Sequence, residues 1–389
     1  KEEQMSVCQR CHAQGVAILK EGKEFDDFLP GKPLSEVMDV FLPRYGNEET
    51  GFIMASHADR TAMSACYKKS AMTCITCHNP HVSVKETPIA TFNAACINCH
   101  GKAHEQQLCS LPINERLEEN DNNCSSCHMP VSTSIDIPHV TIHDHFIRKP
   151  ITNKENDPQF KELARINGDG PVDPLTRARA FLKFYESFQS DPMLLDSVQF
   201  SLNEVETVSK WEEEIQLAFL QENYSSVRKL AANKPIKENR DPYTYYRIGE
   251  SFFKAADWAS SEKYFLLAVE GFPLYLDFQN KLGSVYSQQR KFEEAEKVFS
   301  FILSERPTHL SALSNLGFIR LVQDNAPEAK ELLEKAIAID PDYVQALLNL
   351  AAYYYGLKDR EQLEKIVERV LQIEPNNDKA LKLRGMLGS

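Results

Sequence analysis

The chain has 389 residues, ten cysteines and a formal net charge of −12. This length exceeds one ordinary hydrophobic core and predicts two or three domains. The acidic balance excludes a typical nucleic-acid partner and attraction to anionic lipid, because both require a basic surface. No run of about 18 apolar residues occurs, so the sequence predicts no transmembrane segment.

Cysteine and histidine are concentrated in the first part of the chain. All ten cysteines lie between Cys8 and Cys127, and ten of the eleven histidines lie between His12 and His145. Cofactor chemistry is therefore expected before about residue 150. The chain has no recognisable signal peptide and begins shortly before Cys8, so we expect a processed or truncated start.

The pattern C-x-x-C-H occurs four times. The copies are Cys8-Cys11-His12, Cys74-Cys77-His78, Cys96-Cys99-His100 and Cys124-Cys127-His128. Two thiols three positions apart can add to the two vinyl groups of one haem, and the next histidine can ligate the iron from one face. Four copies, always followed by histidine, predict four covalently bound haem c groups.

Zinc and redox dithiols are the alternative interpretations of these cysteines. A zinc ribbon pairs two C-x-x-C turns around one metal ion but does not require a histidine after each turn. A thioredoxin-like dithiol would occur once, in a βαβ context that the sequence lacks. Haem therefore explains the repeated histidine better than either alternative.

Each haem iron also needs a sixth ligand. The candidates are His57, His81, His104, His139, His143 and His145. We expect two histidine ligands on each of the four irons. We also expect low reduction potentials, because a methionine ligand would raise the reduction potential of a haem. His81 and His104 lie too close to their own motifs to reach the far face of the same haem, so we expect them to ligate a neighbouring one. Surplus histidines could ligate haems of a missing segment or another subunit, and the alternative for each candidate is an ordinary surface or core histidine.

Two cysteines, Cys66 and Cys109, lie outside the four motifs. Because c-type haem is attached outside the cytoplasm, where thiols oxidise, we predict a disulfide between them. The alternative is two buried free thiols.

The motifs are closely spaced along the chain. The second, third and fourth copies begin 22 and 28 residues apart. Four haems in about 150 residues cannot each be enclosed by protein, so we expect them to contact one another and to form the core themselves. Electron transfer between neighbouring haems is the predicted result.

The rest of the chain has a different pattern. The polar segment 151–174, rich in Asn, Asp, Gly and Pro, is predicted to be a linker. Apolar residues at three- and four-residue spacing predict irregular helical pairs over 175–241.

A 34-residue period follows over 242–389. It is carried by Pro273, Pro307, Pro341 and Pro375, by Gly249, Gly283, Gly317, Ala351 and Gly385, and by Ser261, Ala295 and Ala329. This period resembles the tetratricopeptide repeat, in which a small residue lets the two helices of a pair approach closely. We predict four repeats and a capping helix over Asp378–Met386.

The stretches MTCITCHNPHVSV and CSSCHMPVSTSIDIPHVTIHDHFIRKP, joined to these repeats, resemble multihaem cytochromes c with C-terminal tetratricopeptide repeats. The resemblance implies electron transfer in the periplasm or at the outer cell surface, and further haem motifs upstream of the first one. The predicted fold is mainly α: a loop-rich tetrahaem cytochrome c domain over 1–150, followed by an α-solenoid.

Three functions are compatible with this pattern. The first is electron transfer to a redox protein partner or to copies of itself, including an extracellular conductive filament. The second is reduction of a small nitrogen or sulfur oxyanion at one open iron beside His143, Tyr67 or Lys68. The third is assembly through the repeats, whose tyrosines Tyr245, Tyr246 and Tyr354 could line a concave binding face or belong to the repeat core.

Overall fold

The computed structural model describes residues 1–13, 15–46, 56–100, 111–120, 122–133, 139–150, 159–206, 209–233 and 241–387. The chain divides into two compact units, Lys1–Val208 and Ser209–Ser389. This boundary differs from the predicted ones, because two helices of the segment 175–241, Pro174–Ser187 and Pro192–Asn203, belong to the first unit. Within the described ranges, no helix is long and apolar enough to cross a membrane.

The first unit combines short helices with two small sheets. Its helices are α1 (Glu2–His12), α2 (His57–Met63), α3 (Ala65–Lys69), α4 (Ile89–His100), α5 (Ile113–Asn120), α6 (Cys124–His128), α7 (Pro174–Ser187) and α8 (Pro192–Asn203). Its strands are β1 (Val16–Leu19), β2 (Met38–Tyr45), β3 (Val131–Thr133), β4 (Thr141–His143) and β5 (Phe160–Arg165). One antiparallel sheet has the order β1-β2-β5, and β3 pairs with β4 in a second one.

The three-stranded sheet provides the main apolar core of the first unit. Val16 and Phe41 are directly paired across β1 and β2. Both side chains are buried against Phe184 of α7 and Leu194 of α8. Helix α7 begins where Asp173 accepts a hydrogen bond from the Thr176 amide, which is a standard N-terminal cap.

Strand β5 lies inside the segment predicted to be a linker. Its residues pair with β2, and Phe160 and Leu163 pack against the core of the first unit. The linker interpretation is therefore wrong for this part of the segment. A strand forms among polar neighbours because it completes the sheet and covers apolar residues. Residues 151–158 lie outside the described part.

The second unit is helical. Its helices are α9 (Trp211–Leu220), α10 (Tyr224–Ala232), α11 (Pro242–Lys254), α12 (Trp258–Gly271), α13 (Leu276–Gln288), α14 (Phe292–Glu305), α15 (Leu310–Val322), α16 (Ala326–Ile339), α17 (Val344–Gly356), α18 (Arg360–Ile373) and α19 (Asp378–Leu387). Helices α11 to α18 form pairs at the predicted positions, and α19 lies where the capping helix was expected. The helical repeats are confirmed.

Glycine allows the two helices of a repeat to touch. A methyl group added at Gly283 would lie 2.8 Å from ring carbons of Phe299, and one added at Gly249 would lie 2.9 Å from the Phe265 ring. Real Cβ atoms do not approach neighbours this closely, so a larger residue would force the helices apart. The predicted role of the small residue is confirmed at these positions.

The turn inside each pair repeats with the same period. A left-handed residue ends the first helix of each pair, namely Glu222, Ala256, Arg290, Asp324 and Lys358. The next amide then bonds back to the first helix, as Asp257 does to the Phe252 carbonyl at 3.1 Å. This is the hydrogen-bond pattern of a Schellman helix end. Because Glu222 joins α9 to α10, the 34-residue geometry begins one pair earlier than predicted.

The tyrosines considered for a concave binding face contribute to the helical core instead. Tyr245 is only 4% exposed. Tyr246 stacks on Phe278 with ring centroids 5.0 Å apart, and Tyr354 packs against the last repeats. The repeat-core alternative is therefore the correct one for these three side chains.

Candidate cofactor-binding site

All four C-x-x-C-H motifs lie on helical turns of the first unit. The first ends α1, the second begins with the 3-10 turn Cys74–Thr76, the third ends α4, and the fourth forms α6. On a helical turn, residues three apart point to the same side. The local fold therefore presents each cysteine pair together.

Motifs that are consecutive in sequence are neighbours in space. The Cys74 thiol lies 3.7 Å from the Met5 sulfur of α1, and burial, followed by the proximity of Cys8, raises the pKa of Cys74 to about 12. Asn93 of α4 accepts a hydrogen bond of 3.0 Å from the Cys124 amide, and burial and then the neighbouring Cys124 raise the pKa of Cys96 to about 11. The first motif is thus beside the second, and the third beside the fourth.

The second motif lies beside α4, which carries the third motif, because the His78 and Phe92 ring centroids are 5.5 Å apart. Burial raises the pKa of Cys77, with Cys66 and then Cys99 as the next causes. The four motifs therefore form a continuous series from first to last. Cys66 forms no disulfide with another described cysteine. Since Cys109 lies outside the described residues, the disulfide between them stays a prediction.

Four histidine rings form a cluster between the first two motifs. The His57 and His145 ring centroids are 4.5 Å apart, His12 lies 6.0 Å from His57, and His78 lies 6.1 Å from His145. Burial, followed by the His57 charge, lowers the pKa of His145 to about 4. Burial also lowers the pKa of His57, with His12 as the next cause. Burial lowers the pKa of His78 too, so His57, His78 and His145 favour the neutral form, which is the form that ligates a metal.

Backbone carbonyls fix the tautomer of three histidines. Nδ1 lies 2.8 Å from the Arg148 carbonyl in His128, 3.0 Å from the Met129 carbonyl in His143, and 2.9 Å from the His143 carbonyl in His145. A carbonyl only accepts, so Nδ1 carries the proton and donates. Nε2 then keeps its lone pair, as in metal-ligating histidines whose second nitrogen is held by a carbonyl.

The residues around the motifs fit a large apolar group that carries a metal. Nδ1 of His57 is buried and has no hydrogen-bond partner. Helix α4 has the largely apolar sequence IATFNAACINCH, yet none of its residues is buried. Ile75 and Ile97, each between the two cysteines of a motif, are 56% and 45% exposed. The iron of a haem would bond to a buried histidine nitrogen, and the apolar faces of the haem would cover the exposed apolar side chains.

A buried ion-pair network holds the segment that contains His143 and His145. The Arg60 guanidinium donates two hydrogen bonds, of 2.9 and 2.7 Å, to the Asp144 carboxylate, which also accepts one of 2.7 Å from Arg148. Burial is the largest single cause and works to raise the pKa of Asp144, but the hydrogen bonds and charge of Arg60, with bonds from the Phe146 amide and Arg148, together hold the pKa below its usual range. Asp144 was missed by the sequence analysis. Its position between two candidate ligands in HDH was the available signal.

A second contact joins the same segment to the residues between α2 and α3. The Ser64 hydroxyl accepts a hydrogen bond of 2.8 Å from the Ile147 amide and donates one of 3.3 Å to the His145 carbonyl. Ser64 is fully buried. Together with the Arg60–Asp144 pair, this contact fixes His145 relative to α2, which begins at His57.

Three other histidines of the first unit are not part of the four-ring cluster. His81, His100 and His139 are exposed, and His139 has a left-handed φ of 64°. His104 lies outside the described residues. No described group of three or more His, Cys, Asp or Glu side chains could hold a bare metal ion. Haem iron takes only two axial protein ligands and does not require such a group.

Comparison with known proteins identifies part of the second unit. Residues 320–387 match the tetratricopeptide repeat family model. The C-terminal part of the chain carries tetratricopeptide repeats. No curated protein matches the chain.

Two solved tetratricopeptide-type structures illustrate the likeness. A thermophilic repeat protein of Thermus thermophilus is 17% identical with a TM-score of 0.39, and the match covers 46% of this chain and 97% of that one. MamA from Desulfovibrio magneticus is 15% identical with a TM-score of 0.38, and the match covers 44% and 99%.

Proposed function

We propose that the first unit binds four c-type haems covalently and transfers electrons through them, while the repeats mediate association with other proteins. The observation that carries this proposal is the series of four C-x-x-C-H motifs, in which contacts join each motif or its helix to the next. Haem supplies a one-electron centre when it is bound. Neighbouring centres in one unit favour transfer along the series.

The cysteine pairs anchor the four groups, and the histidines of the motifs, His12, His78, His100 and His128, provide the first axial ligands. The second axial ligands come from the six candidate histidines of the sequence. Neutral rings with a carbonyl-bound Nδ1, such as that of His145, are ready to ligate through Nε2. Two histidine ligands on every iron leave no open position for a substrate, which favours electron transfer over reduction of an oxyanion.

The repeats supply the second part of the proposal. Tetratricopeptide arrays typically bind protein elements on an extended surface. We assign them the task of joining this chain to a redox protein partner or to copies of itself, as in an extracellular filament. Covalent haem and the expected disulfide favour a periplasmic or cell-surface location.

The experiment is a reductive titration of the full chain, produced in a host that attaches c-type haem. The expected result is four electrons per chain and only low-spin ferric signals in electron paramagnetic resonance (EPR). A paired Cys124→Ser and Cys127→Ser variant should lose one electron equivalent. Its matched control, Cys66→Ser, changes a cysteine outside the motifs and should lose none.

Two results would contradict the proposal. Absence of covalent haem removes the redox centres altogether. A high-spin iron that changes on adding nitrite or hydroxylamine would make the protein a reductase with an open haem.

A further inference from the structure

The spacing of the clustered histidines identifies axial ligand pairs. Two imidazoles on opposite sides of one metal have ring centroids about 6.3 Å apart, since each metal–nitrogen bond is about 2.0–2.1 Å and the ring centre lies about 1.1 Å further. The His12–His57 distance of 6.0 Å and the His78–His145 distance of 6.1 Å both match this spacing.

The third distance in the cluster excludes a pair made of His57 and His145. The centroids of His57 and His145 are 4.5 Å apart. This is almost 2 Å too short for two rings that share one iron. His57 and His145 therefore serve different irons, as neighbours between the first two motifs.

Each of the two rings has one nitrogen available for ligation. Nδ1 of His145 donates to the His143 carbonyl, which leaves Nε2 available. In His57 the available atom is Nδ1, which is buried and has no partner. An ordinary ring contact would explain the distances, since aromatic pairs span about 4.5–7 Å, but it would leave this buried polar nitrogen unsatisfied.

We propose that His57 is the distal ligand of the haem attached at Cys8 and Cys11, opposite His12. His145 is the distal ligand of the haem attached at Cys74 and Cys77, opposite His78. This assignment rests on the proposed function, because it requires that the motifs carry haem. It makes the two distal ligands immediate neighbours.

The ring planes predict different spectra for the two haems. The His12 and His57 planes are 77° apart, whereas those of His78 and His145 are 24° apart. Perpendicular imidazoles leave two iron d orbitals nearly degenerate and give a highly anisotropic low-spin EPR signal. Nearly parallel imidazoles split these orbitals and give a rhombic one.

The test uses the full haem-loaded chain with His57→Gly and His145→Gly variants. His309→Gly is the control, because His309 is the only histidine beyond the first unit. We expect His57→Gly to convert one haem to high spin with loss of an anisotropic signal. His145→Gly should convert one haem with loss of a rhombic signal, and added imidazole should restore low spin in both. A change due only to misfolding would not be reversed by imidazole.

A second pair of variants tests which haem each histidine serves. In a Cys8→Ser, Cys11→Ser background, which lacks the first haem, His57→Gly should produce no new high-spin iron, whereas His145→Gly still should. The assignment is overturned if the haem count is intact and His57→Gly leaves every iron low-spin, or if it still creates high-spin iron in this background. A chain without covalent haem contradicts the proposed function instead, and mass spectrometry distinguishes this case.

Discussion

Asp144→Asn should destabilise the first unit strongly. The Asp144 and Arg60 side chains are 0% and 3% exposed, and two hydrogen bonds join them. Asparagine removes the negative charge opposite both Arg60, which is buried, and Arg148, so both guanidinium groups lose this carboxylate. Breaking a buried ion pair in this way costs about 3–5 kcal/mol.

Hydrogen exchange of the α2 and α3 amides measures this effect, since Arg60 lies in α2. The expected cost corresponds to exchange about two to four orders of magnitude faster at these amides. The matched control is Asp26→Asn, which removes the Arg10–Asp26 ion pair. It is a suitable control because the Asp26 side chain is 94% exposed. Exposed pairs contribute less than about 1 kcal/mol. Equal effects of the two variants would refute the reasoning.

Three further predictions concern the repeats. Phe299→Ala, at a fully buried side chain, should lower the free energy of unfolding by about 3–5 kcal/mol in urea titrations followed by tryptophan fluorescence, whereas the exposed Ser300→Ala should change it by less than about 0.5 kcal/mol. Gly385→Ala in α19 should raise thermal stability by up to about 1 kcal/mol, because a methyl group there meets no atom within 4 Å; a lower midpoint would contradict this. His309 caps α15 by accepting from the Ala312 amide, and burial lowers its pKa, so protonation favours the unfolded state. The stability that neutral His309 contributes is present above about pH 6.5 and is lost as the pH falls below that value. His309→Asn caps the helix without titrating, so this loss should be absent when the variant is melted at a series of pH values.

The repeats could be predicted from sequence because each helical pair is specified by a residue pattern that recurs within 34 residues. The 34-residue step fixes which residues face each other, and the contact between Gly283 and Phe299 follows from it. The earlier pair α9–α10 was predicted as an irregular helical pair and not as part of the 34-residue series, because Ile215 stands at the position where the later repeats have glycine or alanine. Its turn at Glu222 nevertheless has the same backbone geometry.

The candidate site was predictable only in part. The residues of the C-x-x-C-H motifs can be recognised from sequence alone, because covalent attachment of haem would require this spacing. The choice among distal histidines depends on contacts between residues far apart in sequence, such as His12 with His57. Periodicity and composition carry no information about such contacts.

The supporting contacts of the site were even less visible in the sequence. Asp144 gains its role from Arg60, 84 residues earlier. Strand β5 was missed for a similar reason, since its sequence FKELAR is mostly polar and only its pairing with β2 makes it a strand. Both features depend on tertiary contacts that override local preference.

The most direct test of the central claim is intact-protein mass spectrometry of the full chain, purified under denaturing conditions from a host that attaches c-type haem. We predict a mass increase of four haem groups, with eight cysteines unreactive toward a thiol reagent after reduction and only Cys66 and Cys109 labelled. An unmodified polypeptide mass with all ten cysteines labelled would contradict the claim.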